Sequence, residues 1–119
     1  MTTTPSSAQA YLRRLEALLA EIAPIGRLPR RPTLECKRFF SGGAVYADGR
    51  IFMTLTTVGL ALKLPEDARM TLLGDGGKPL RYFAKGHIKK EYVVVPEAVA
   101  NRPSAVGPWI EQSILYVTR

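Results

Sequence analysis

The chain has 119 residues, 46% hydrophobic and 23% charged, with 17 Lys and Arg against 10 Asp and Glu for a net charge of +7. That length holds one hydrophobic core and not two, since single domains cluster at about 100–150 residues, and the composition excludes a natively disordered chain. No apolar run reaches the roughly 18–20 residues that span a bilayer, Met1–Ser7 lacks the basic-then-apolar order of a secretory signal, and the lone Cys36 has no internal disulfide partner, so the expected compartment is the cytoplasm.

Ser6 or Ser7 can cap a helix, and Ser6 with Gln9 has capping-box spacing. Tyr11, Leu12, Leu15, Leu18, Leu19 and Ile22 then recur at helical spacing, with Arg13, Arg14, Glu16 and Glu21 mostly off the stripe. This predicts a helix over about Ser7–Ala23. Pro24 and Gly26 end it. The arginine-rich run through Pro29 to Pro32 is expected to be an extended connector, because proline fixes φ and restrains the residue before it. Residues 1–33 therefore read as a helix and connector belonging to the same domain as residues 34–119.

Leu34 and Cys36 alternate with Glu35 and Lys37 up to Phe39 and Phe40, a strand pattern, and Gly42-Gly43 allows a turn or bulge after it. Ala44–Ala47 and Arg50–Thr57 flank Asp48-Gly49, the dipeptide suited to a two-residue hairpin loop. In the second arm Ile51, Met53 and Leu55 are expected to face the core and Phe52, Thr54 and Thr56 the other side. Val58-Gly59 turns the chain into Leu60–Leu64. Pro65-Glu66-Asp67 has the composition of a helix start, closed by Gly74, Gly76 and Gly77. Strands follow at Leu80–Ala84 and about Lys89–Val95, around Gly86-His87; Pro96-Glu97 opens a helical turn. The stripe Val106, Trp109, Ile110, Ser113, Ile114 and Val117 reads as a closing helix with Pro108 in its first turn. Hairpin-linked strands between amphipathic helices predict an α+β fold of two layers: an antiparallel sheet of five or six strands packed with N-terminal, middle and C-terminal helices.

No local pattern of catalysis is present. His87, the only histidine, sits in a predicted turn with no orienting acid or nucleophile nearby, and Cys36 alternates with charged neighbours as an inward-facing core thiol does. One cysteine and one histidine cannot supply a four-ligand zinc site, and Gly42-Gly43 and Gly74–Gly77 lack both the phosphate-loop frame and a following helix. No cofactor, metal or small-molecule substrate is inferred. The excess positive charge is uneven: Arg27–Arg38 and Lys78–Glu91 each carry five basic residues against one glutamate. Strand alternation would place Arg81, Phe83 and Lys85 on one face with Lys89 joining them. The candidate polyanion-binding residues are Arg30, Arg31, Lys37, Arg38, Arg81, Lys85, Lys89 and Lys90; a solvated face that serves solubility or protein contacts is the competing reading.

The stretch Arg38-Phe39-Phe40-Ser41-Gly42-Gly43-Ala44-Val45-Tyr46-Ala47-Asp48-Gly49-Arg50-Ile51-Phe52 is similar to the opening signature of TfoX N-terminal domains: Arg-Met-Phe-Gly-Gly, then a Tyr, Asp-Gly and an apolar-Phe pair. Leu60-Ala61-Leu62-Lys63, Pro65-Glu66-Asp67-Ala68-Arg69, the Gly74–Gly77 loop, Leu80-Arg81-Tyr82-Phe83, Lys85-Gly86, Tyr92-Val93-Val94-Val95-Pro96-Glu97 and Trp109 follow in the family's order, over most of Leu34–Val117. Phe39 stands for the usual Met, Ser41 for the first Gly, and Ala44 where a second turn glycine is common. The resemblance implies a stand-alone N-terminal domain with a fold similar to secretion chaperones, no known enzymatic activity, a link to regulation of DNA-uptake competence, and homodimerisation by likeness to dimeric chaperones. Two functional expectations result. The first is a non-catalytic regulatory module that binds a protein partner or itself; the alternative is a basic nucleic-acid-binding accessory protein linked to competence transcription.

Overall fold

The computed structural model describes residues 7–22, 32–40, 42–81 and 86–119. Within them the chain forms α1 (Ser7–Ile22), β1 (Leu34–Phe39), β2 (Gly42–Ala47), β3 (Arg50–Thr56), β4 (Gly59–Lys63), α2 (Glu66–Gly74), β5 (Lys78–Pro79), β6 (Tyr92–Val94), α3 (Glu97–Ala100) and α4 (Pro103–Thr118). The strands make one antiparallel sheet in the order β1-β2-β3-β4-β6-β5. The α+β expectation holds, with six strands. The connector over Pro24–Arg31 and the expected strand residues Tyr82–Ala84 lie outside the described residues.

The β2–β3 hairpin forms where expected. Asp48 and Gly49 take φ of 50° and 82°, the left-handed pair that a two-residue turn between twisted strands demands, and Asp48 Oδ1 also accepts the backbone N–H of Thr33 at 2.9 Å. The β1–β2 turn differs from the expectation. Gly42 and Gly43 belong to β2, and Phe40 carries the positive φ, 52°. The two glycines answer to space rather than to turn geometry. A Cβ on Gly42 would collide with the carbonyl of Leu55, and one on Gly43 would stand 2.9 Å from Leu12 Cδ2 and 3.0 Å from Leu15 Cδ1, where α1 presses on the sheet.

Residues paired across an antiparallel ladder share a face, so Cys36, Val45, Met53, Leu62 and Val93 form one row across five strands. This face carries the helices. Leu15 of α1, Ala68 and Leu72 of α2 and Val106, Ile110, Ile114 and Val117 of α4 join the row in one buried cluster. The opposite row is Lys37, Ala44, Thr54, Ala61, Val94 and Lys78. Thr54 and Thr56 stand on that second face as expected, yet both are buried.

Phe52 does not follow the expected alternation. Val45 pairs with Met53 and Tyr46 with Ile51, so Phe52 is an extra residue opposite no residue of β2. A bulge of this kind breaks period two and turns neighbouring side chains to the same side. Phe52 is fully buried in the core cluster, while Ile51, expected inward, is only half-buried.

The late elements depart from their sequence pattern. The strand expected from Leu80 is not found at Leu80 and Arg81, which lie outside any strand; β5 is instead Lys78–Pro79, just before them, and Pro79, with no N–H for a ladder, is tolerated because β5 is an edge strand. Lys89 N–H still reaches Leu80 O at 2.9 Å, but Tyr92 N–H bonds back to Lys89 O at 3.0 Å, so Lys89–Glu91 form a turn and β6 begins only at Tyr92. α4 starts earlier than expected, at Pro103, which leaves Pro108 inside the helix rather than in its first turn. Ser113 then fastens α4 to the sheet: its hydroxyl lies 2.6 Å from Lys63 O and 3.1 Å from Phe52 O.

Candidate functional site

The described members of the two basic runs go to opposite edges of the sheet. Lys37 and Arg38 lie on β1, Lys78 on β5, and Arg81, Lys89 and Lys90 in the segment between β5 and β6. Five strand steps at about 4.8 Å separate the edges by about 24 Å. As neighbours on one strand, Lys37 and Arg38 also point to opposite faces. Lys37 Nζ is 3.9 Å from Glu35 and 5.2 Å from the centre of the Tyr46 ring. Arg81, Lys89 and Lys90 are exposed, and Lys89 approaches the β5 side through the bond to Leu80. Arg30, Arg31 and Lys85 lie outside the described residues.

Cys36 stands on the helix face, half-buried against the core. Burial pushes its thiol pKa up, and Glu16 of α1 pushes it further in the same direction. A protonated thiol is a poor nucleophile, which agrees with a packing role. His87 is exposed, away from Cys36 in the segment before β6. Among the described residues, no group of three or more His, Cys, Asp or Glu is placed to hold a metal ion, and no helix is long and apolar enough to cross a membrane.

A different set of cations converges. Arg50 opens β3, Lys63 closes β4, Arg69 lies in the first half of α2, and Arg119 follows α4. Arg50 Nη1 donates to Val117 O at 3.3 Å, and Arg69 Nη1 donates to Leu64 O at 3.0 Å. The Arg119 guanidinium lies 5.7 Å from the centre of the Tyr116 ring. One carboxylate stands among them: Glu91 accepts the Tyr116 hydroxyl at 2.7 Å and lies 3.4 Å from Lys63 Nζ. The Tyr116 hydrogen bond, with smaller contributions from Lys63 and Arg69, holds the Glu91 carboxyl below its usual range, and the same bond raises the Tyr116 phenol. Arg50, Ile51, Lys63, Glu91, Tyr116 and Val117 line a groove of about 470 Å³ there. Sequence reasoning missed this set because its members are far apart in the chain and none lies in a basic run except Glu91, which counted there as an acid. A second cleft of about 420 Å³ lies at the other end of the sheet, around the β3–β4 turn, with Tyr11 and Arg14 of α1 on its rim.

The class the described residues define is a two-layer antiparallel α+β domain with a groove at each end of its sheet. Comparison with known families agrees: the TfoX N-terminal domain matches residues 27–116, and the chain belongs to that family. The family is regulatory and non-enzymatic, with a connection to competence. No curated protein matches the chain.

Proposed function

We propose that this chain is a non-catalytic regulatory module that acts by binding a protein strand along β1, a second copy of itself being the partner best fitted to that edge. The observation that supports this reading is the Glu35-Cys36-Lys37 order on a six-residue edge strand. Edge strands present backbone groups that pair with an added strand. When two copies of β1 meet antiparallel about a two-fold axis at Cys36, each Glu35 stands opposite Lys37 of the second copy. Such opposite-charge cross-strand pairs contribute roughly 0.2–1 kcal/mol each. Two chains of charge +7 repel over their whole surface, and salt screens that long-range repulsion more than it weakens the close pairs.

Sedimentation velocity over a concentration and salt series tests the reading. The expected result is self-association that strengthens with salt, is lost in Lys37→Glu, and returns in the double variant Glu35→Lys with Lys37→Glu. A chain that stays monomeric at every concentration, or a double variant no better than the single one, refutes it. The exposure of Arg81, Lys89 and Lys90 in one segment supports a second reading, binding of nucleic acid. Its affinity would fall steeply with salt, opposite in sign to the first, and a pull-down with and without nuclease separates partners held through nucleic acid from direct ones.

A further inference from the structure

We infer that the groove between the start of β3, the end of β4 and the end of α4 is a binding site for a multiply charged oxyanion of the phosphate class, gripped by Lys63 and Arg50, which line it. The inference does not depend on pairing at β1.

The charge count is the first argument. Two cations, Arg50 and Lys63, line the groove with one carboxylate, Glu91, and Arg69 is near enough to act on that carboxylate, so the site keeps a surplus of positive charge that favours an anion. The head of α2 carries Glu66, Asp67 and Arg69, none of which lines the groove; Asp67 Oδ1 is turned onto the N–H of Ala68 at 2.9 Å. The second argument is preorganisation. Arg50 places one guanidinium N–H on the Val117 carbonyl, which fixes the direction of the planar head, and a guanidinium has five N–H donors in all. Arg forks held in this way match the oxygens of a phosphate. Val117 O, which orients Arg50, lies in the last turn of α4, where the helix dipole also favours a cation.

The third argument is the state of Lys63. Its side chain is only 27% exposed, and its carboxylate partner is shared with Tyr116, whose hydroxyl takes the other oxygen of Glu91. A partly withdrawn ammonium gains from a further anionic contact. Glu91 is thus an internal occupant of the cationic site. An incoming oxyanion competes with it for Lys63, while Tyr116 retains Glu91 at the rim.

The test titrates isotope-labelled protein, followed by amide chemical shifts at fixed physiological ionic strength, with inorganic pyrophosphate in one arm and a phosphoserine peptide in the other. The expected result is saturable shifts centred on Lys63, Glu91, Tyr116 and Val117. Lys63→Gln combined with Arg50→Gln should weaken binding about ten-fold or more, since charge-assisted hydrogen bonds are lost. Glu91→Gln should tighten it several-fold, a change that damage to the fold would not produce. The stronger arm identifies whether the phosphate arrives free or on a chain, and either one supports the site. Shifts that never saturate, shifts spread evenly over all basic residues, unchanged affinity in a folded double variant, or weaker binding in Glu91→Gln would each overturn it.

Discussion

Replacing Ser113 with alanine tests how α4 is held to the sheet. The Ser113 side chain is fully buried, and its hydroxyl stands between two carbonyl oxygens, Lys63 O at 2.6 Å and Phe52 O at 3.1 Å. A hydroxyl has one proton, so the stronger donation goes to Lys63 and Phe52 O receives the remainder. Phe52 is the bulged residue, and the serine is the side-chain donor at its carbonyl. Alanine removes the donor without adding volume. Leaving a buried acceptor without its donor costs roughly 1–3 kcal/mol, which for a domain of this size lowers Tm by about 4 °C per kcal/mol, or about 4–12 °C. Thermal unfolding followed by circular dichroism measures this, and urea unfolding should show a lower midpoint with an unchanged m-value. A Tm within about 1 °C of the parent chain would mean that the hydroxyl contributes almost nothing net. The bulge would then be held by packing of Phe52 alone.

Gly42→Ala is expected to destabilise more than any conservative surface change, by about 3 kcal/mol or more, because the new methyl meets the Leu55 carbonyl, a backbone group that cannot rotate aside; a urea midpoint close to that of the parent would contradict this. Cys36 is expected to react with a disulfide reagent more slowly than a free thiol at neutral pH, with the difference closing as pH rises above its elevated pKa, and Glu16→Gln should speed the reaction while leaving the burial contribution in place. A Glu16→Gln rate equal to that of the parent would remove the carboxylate from the explanation.

What the sequence disclosed follows from how local each feature is. Asp48-Gly49 was legible because two consecutive left-handed residues are a requirement few dipeptides meet. The stripe of α1 and the start of α2 at Pro65 were legible for the same reason: spacing and capping are written within a few residues. The bulge was not. Ile51-Phe52-Met53 is an unbroken apolar run, so nothing in its pattern says where alternation slips, and the slip is set by how Val45 and Met53 meet across the ladder. Gly42-Gly43 was visible as a special pair but not as to cause, since the atoms that exclude a Cβ belong to Leu55, Leu12 and Leu15 on other elements.

The same distinction governs the charges. A basic run along the chain is a prediction about a surface only if the strand order keeps its members together, and here β1 and β5 are the two ends of the order. Lys37 and Arg38 are divided further by strand alternation. The topology instead brings Arg50 and Lys63 to one groove, with Arg69 and Arg119 near its Glu91 and Tyr116, because the start of β3, the end of β4 and the tail of α4 meet there. Local density of Lys and Arg along the chain therefore does not say which cations share a surface in this fold. The informative quantity is which strand and helix ends coincide, and that quantity is fixed by the order β3-β4-β6 and by the anchoring of α4 through Ser113 and Arg50.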